Sequence, residues 1–179
     1  MLLSKIGTGF AVSAALVLGA SPALAAGGWT IVSVPPTGQN ANLSGVSTPS
    51  DTDAWAVGTS NGAKNTGLGS KPLIDHWNGT AWNIVPSPST GTNDSLTGVT
   101  ESATNNLWAV GYDTPSGATQ PQTLTLNYNG TAWTTIASPN QGTPSVLTSV
   151  STTPGAAIVW TVGYSGLTGS FNPLALKNG

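Results

Sequence analysis

His76-Trp77-Asn78-Gly79-Thr80-Ala81-Trp82 is the stretch on which the fold reading turns. It recurs as Asn127-Tyr128-Asn129-Gly130-Thr131-Ala132-Trp133, and its opening recurs as Lys177-Asn178-Gly179. Asn-Gly between runs rich in Trp, Tyr, Ile, Leu and Val is a strong short-range hairpin signal. A type I′ turn needs positive φ at both central residues, which Asn tolerates and Gly adopts freely. Each copy therefore reads as strand, tight turn, strand.

Other landmarks keep the same period. Trp29, Trp82 and Trp133 stand 53 and 51 residues apart, and Trp55, Trp108 and Trp160 stand 53 and 52 apart. The runs beginning at Leu43, Leu96 and Leu147 follow suit. The repeat is therefore a property of the whole chain. Each repeat period holds four extended runs, shown here starting from Trp82. Trp82 to Val85 stops at Pro86-Ser87-Pro88, as an edge strand should, because proline has no ladder donor. Then come Leu96 to Thr100, Leu107 to Tyr112 and Thr123 to Tyr128. No segment carries a helical period of useful length.

Four short strands per unit of 51–53 residues predict an all-β chain of β-propeller blades, three units of four antiparallel strands each, forming a partial propeller. The units span about 43–86, 96–138 and 147–179 within a repeat domain over 26–179. An N-terminal outer strand is expected over 29–34. The Leu-x-x-Val runs should lie innermost. Trp55, Trp108 and Trp160 should be buried between sheets. Because the last unit shows three runs and the missing strand type is the one found at Trp29, two explanations are expected: a truncated sequence whose full form carries further blades, or a homo-oligomer in which the end of one chain meets the Trp29 strand of the next and completes the ring.

The chain has 179 residues, net charge −2 and no cysteine. Residues 1–25 read as a secretory signal: Lys5, an apolar run from Phe10 to Ala20, and Ala23-Leu24-Ala25 for cleavage. A secreted or cell-surface location follows, with no membrane span after the leader is removed. There is no arginine, and only Lys64, Lys71 and Lys177 are basic beyond the leader. Phosphate neutralisation needs more cations than that, so nucleic acid is not an expected partner. Thiolate metal sites and disulfides are excluded.

The order of Trp run, Leu-x-x-Val, Trp-Ala-Val-Gly and Gly-x-x-Trp hairpin resembles Asp-box (BNR) repeat propellers and is similar to tectonin-type lectin repeats. The resemblance covers Trp29 to Gly179. The hairpin glycine and tryptophan are kept at Gly79 and Trp82, while Ala81, Trp77 and Asp75 stand where that pattern has Thr, Asp and Ser. It implies a propeller, and a sialidase among other roles. A sialidase needs an arginine cluster to hold its substrate carboxylate, and this chain has none.

No catalytic residue, metal site or cofactor is expected. Asp51 and Asp53 fall where the next unit has Thr104 and Asn106, which reads as turn chemistry. His76 alone makes a poor metal site and reads as a solvent-facing strand residue. Trp77 and Tyr128 occupy equivalent places beside the hairpins. With Asp75, His76 and Asn127 they form the candidate ligand surface: rings stack on sugar C–H faces while polar groups bond hydroxyls. Packing between blades is the competing reading of both aromatics. The expected function is a non-enzymatic recognition module for a glycan or an extracellular protein. The alternatives are a structural or adhesive array, or the non-catalytic part of a secreted hydrolase.

Overall fold

The structure, a computed structural model, describes residues 28–36, 40–61, 69–167 and 169–179. The leader read over 1–25 lies outside them. The chain divides into two units, Met1–Val32 and Ser33–Gly179. In the second, the described residues form strands and no helix. Accordingly, no helix among them is long and apolar enough to cross a membrane.

Among the described residues, eleven strands make three antiparallel sheets. Sheet 1 contains β1 (Ala41–Ser50), β2 (Asp53–Asn61), β3 (Ser70–Trp77) and β4 (Trp82–Ile84), in that order. Sheet 2 contains β5 (Ser95–Ala103), β6 (Asn106–Asp113), β7 (Gln122–Tyr128) and β8 (Trp133–Ile136), also in order. Sheet 3 has three strands, β9 (Ser145–Thr152), β10 (Val159–Leu167) and β11 (Ser170–Asn178). The sheets follow the sequence repeat, and among the described residues none closes on itself. The run 29–34, expected as an outer strand, forms no strand. Its Trp29 and Ile31 are exposed.

The sheets stack face to face. Trp55, Val57 and Ile74 of sheet 1 meet Leu96, Val99, Leu107, Ala109, Leu124, Leu126 and Trp133 of sheet 2. The opposite face of sheet 2 gives Val110 to a smaller cluster with Leu147 and Leu174 of sheet 3. β5 lies against both β1 and β9. That approach is close: a Cβ on Gly45 would stand 2.9 Å from the Cα of Gly98. The Leu-x-Gly-Val runs therefore line the seams where backbones nearly touch, and a small residue is needed there.

The glycine that closes each Trp-x-Val-Gly run has one cause in all three sheets. The leading edge strand bulges between Leu43 and Gly45 and between Leu96 and Gly98, and the β9–β10 register slips at the corresponding place. The bulge presses a carbonyl onto the next strand. A Cβ on Gly58, Gly111 or Gly163 would lie 1.9 Å from the carbonyl oxygen of Asn42, Ser95 or Val146. At the bulge itself the single O–H of Thr97 is shared between the carbonyls of Val110, at 3.1 Å, and Leu147, at 2.8 Å, linking sheets 2 and 3.

Two further sequence expectations are corrected by the structure. The Asn-Gly turns are not of type I′, because positive φ occurs at Gly79 and Gly130 but not at Asn78 or Asn129. Trp77 pairs with Trp82, leaving a four-residue loop. The Asn78 Oδ1 accepts from the N–H groups of Thr80 and Ala81 at 3.1 and 3.0 Å, and Asn129 repeats this with Thr131 and Ala132. The asparagine side chain makes the turn together with positive φ at the glycine alone.

The second correction concerns the repeated tryptophans. Trp55 is 4 % exposed, Trp108 is half-buried and Trp160 is 53 % exposed. Burial falls along the series because sheet 2 covers Trp55, whereas no sheet among the described residues covers the face that carries Trp160.

Candidate functional site

Strand alternation separates the five candidate residues rather than gathering them. In β3, His76 shares a face with Ile74 and turns toward sheet 2, while Asp75 and Trp77 take the other face. In β7, Tyr128 shares a face with Leu126 and turns toward sheet 1, while Asn127 takes the other.

Asp75 is 1 % exposed, and its Oδ1 has no hydrogen-bond partner among the described residues. Burial pushes its carboxyl above the usual carboxylate range. A carboxylate so enclosed does not reach hydroxyls in solvent. The position is occupied by Leu126 in sheet 2 and, by register, by Leu176 in sheet 3. That register also revises the terminal copy of the hairpin. Lys177 pairs with Trp160, as His76 pairs with Trp55 and Asn127 with Trp108, so Asn178 holds the place of Trp77 and Tyr128.

Trp77 is half-buried and packs on Trp82 across the hairpin, with ring centroids 5.9 Å apart. Tyr128 is half-buried within the seam between sheets 1 and 2, 4.8 Å from Trp55 and 5.4 Å from Trp133. It packs between the two sheets. The Asn127 amide donates to Asn106 Oδ1 at 2.7 Å and to the Leu107 carbonyl at 3.0 Å.

His76 is more than a strand residue facing solvent. Its ring lies flat on Trp55, 4.1 Å away and 21° from parallel, and its Nε2 is 2.8 Å from Asp53 Oδ1. The His76 and Asp53 side chains are 32 % and 40 % exposed. Across the seam stands Glu101 of β5, whose carboxyl is raised by burial and by the charge of Asp53, against a smaller lowering by the Asn105 backbone. Asp53, His76 and Glu101 thus form a polar rim over a floor of Trp55 and Tyr128. Spacing gives no hint of Glu101, because only sheet packing brings it near Asp53. The Asp53–His76 pair was legible in part: Asn106 and Asn127 form the corresponding contact in sheet 2.

A second polar cluster was missed by the sequence reading. The loop after β4 folds around Asp94, whose Oδ2 accepts from Ser89 Oγ at 2.7 Å and from the N–H groups of Thr90 and Gly91 at 3.0 and 3.1 Å. Thr90 Oγ1 donates to Asp113 Oδ2 at 2.8 Å. Burial raises the Asp113 carboxyl, Thr90 offsets part of that, and the charge of Asp94 adds to it. Lys71 Nζ reaches Ser89 Oγ and the Gly91 carbonyl. These bonds hold the crossover from sheet 1 to sheet 2. Among the described residues no group of three or more His, Asp or Glu is placed to hold a metal ion.

Neither protein-family models nor curated proteins give a match to this chain.

Proposed function

We propose that this chain is an exported, non-catalytic recognition module whose sheets are blades of a β-propeller, and that its ligand is a glycan held at the outer rim of the seam between sheets 1 and 2. Fold alone decides no function. The observation that carries the reading is the flat His76 ring on Trp55, hydrogen-bonded to Asp53 and accessible beside Glu101 and Tyr128. Carboxylates and an imidazole fixed over aromatic surface suit hydroxyl-rich ligands: the polar groups bond hydroxyls and ring edges cover C–H faces. The leader-like opening of the sequence supports export, and the face-to-face packing of four-stranded repeats supports blades. Trp77 stands on the opposite face of sheet 1 and takes no part in this site.

A glycan array followed by calorimetry on the best binder tests the reading. His76→Ala and Asp53→Asn should each weaken binding about tenfold or more, the loss expected for a charge-assisted hydrogen bond, with sugar recovered uncleaved. An absence of sugar binding at millimolar concentration would defeat the glycan reading. A structural array is the second reading, favoured by the apolar faces of sheets 1 and 3, and that null result would select it.

A further inference from the structure

The repeat allows one seam to be compared with the next. Asp53, His76 and Glu101 form the outer rim of the seam between sheets 1 and 2. The strand pairings give Asn106, Asn127 and Thr152 the same positions at the seam between sheets 2 and 3. That second rim is neutral and its groups satisfy one another. The Asn127 amide donates to Asn106 Oδ1 at 2.7 Å, and Thr152 Oγ1 donates to the Ile158 carbonyl at 2.7 Å. The fold is therefore served by uncharged side chains at this place. The two carboxylates and the imidazole of the first rim are an addition that sheet packing does not require.

The two carboxylates act on each other. Burial and then the charge of Asp53 raise the Glu101 carboxyl, against a smaller lowering by the Asn105 backbone. Like charges placed so favour a cation beside them. His76 Nε2 meets the Asp53 Oδ1 at 2.8 Å, which leaves the other Asp53 oxygen and the Glu101 carboxyl for a ligand. The lysines among the described strands stand elsewhere. Lys71 lies toward the other end of β3, where it donates to Ser89 Oγ and the Gly91 carbonyl, and Lys177 belongs to β11. Flat surface adjoins the carboxylates. One face of the His76 ring lies on Trp55, the side chain is 32 % exposed, and Tyr128 stands 4.8 Å from Trp55. A ring with C–H faces, hydroxyls and a positive charge matches all three features. A lysine side chain brings the charge and a thin stem, with no ring face.

We infer that the rim takes an amino sugar with a free ammonium, seated between Asp53 and Glu101 with its pyranose ring against His76 and Tyr128. This rests on the glycan reading above and narrows it to cationic sugars. N-acetylation would exchange the charge for a neutral amide and put bulk between the carboxylates. An acidic sugar would bring a like charge to them.

Calorimetry with a glucosamine tetramer and its fully N-acetylated form, at a pH that keeps the amine charged, tests the inference. The free amine should bind roughly tenfold or more tighter, as for hydrogen bonds to charged groups. That preference should shrink between about 0.1 and 1 M sodium chloride, as the Debye length falls from about 10 to 3 Å. Glu101→Gln, with circular dichroism unaltered, should reduce the preference at low salt roughly tenfold. The salt series reads the same contact without any substitution. Equal affinity for the two tetramers, or tighter binding of the acetylated tetramer or of a uronic acid oligomer, would overturn the inference and leave the glycan reading standing. So would binding that depends on added calcium, which would make a metal ion the bridge. Tetralysine binding as tightly as the glucosamine tetramer would give the rim to a basic peptide and overturn it. If no sugar of any kind binds, the glycan reading falls and this inference with it.

Discussion

Replacing Gly111 by alanine tests the account of the bulged seams most directly. Gly111 lies in β6, paired with Leu96 where β5 bulges before Gly98. The added methyl would stand 1.9 Å from the Ser95 carbonyl oxygen and 2.9 Å from the Leu96 Cα. Against an ordinary carbon–oxygen approach of ~3.3 Å, the first contact is short by roughly 1.4 Å. The obstructing atoms are backbone, so no side-chain rotation relieves them, and β5 is held on its other side by β1 and β9. Overpacking costs about 1–3 kcal/mol where side chains can yield, and here the upper end applies, about 3 kcal/mol. For a chain of this size that lowers Tm by roughly 6–12 °C. Gly117→Ala is the control: its φ is 82° but nothing lies within 4 Å of the new Cβ, so only the backbone penalty of about 1–2 kcal/mol remains. Thermal unfolding by circular dichroism at one protein concentration reads both. A Gly111→Ala protein melting within about 2 °C of the wild type would refute the steric argument.

Trp55→Ala should cost about 3–5 kcal/mol, as for a large core aromatic, whereas Ile84→Thr on exposed β4 should change stability by no more than about 0.5 kcal/mol; urea melts compare the two, and equal effects would contradict the packing described. Asp113 binds its proton more tightly folded than unfolded, so the stability it contributes is fully present below the ordinary carboxylate range. That stability is lost as pH rises through the raised folded value. Asp113→Asn, which keeps an acceptor for Thr90, should therefore gain on wild type as pH rises from about 3.8 through that window and then level off. A variant Tm that falls relative to wild type over the same rise would reverse the sign and defeat the reading.

Much of the fold was legible because it repeats. Three series of landmarks at one spacing mark out three sheets, and the Pro, Gly and Asn residues between runs mark their limits. Gly58, Gly111 and Gly163 stand at one place in each repeat, although the bulged carbonyl that requires them appears only once strands are paired. Local sequence was less decisive where two conformations serve one motif. Asn-Gly suits a type I′ turn, but a side-chain oxygen that can accept two N–H groups favours the four-residue loop instead.

What the sequence could not assign was anything set by a neighbour. Trp55, Trp108 and Trp160 are equivalent in the repeat, and only the stacking of sheets makes the first buried and the last exposed. His76, Glu101 and Tyr128 are far apart along the chain, and the seam between sheets 1 and 2 brings them to one rim. Asp75 and Trp77 flank His76 in sequence yet leave it for the other face, because successive side chains of a strand point to opposite sides. Period and turn chemistry are local, so the sequence alone determined the repeat and its strands. Burial and proximity depend on which face finds a partner, and only the tertiary structure decided that.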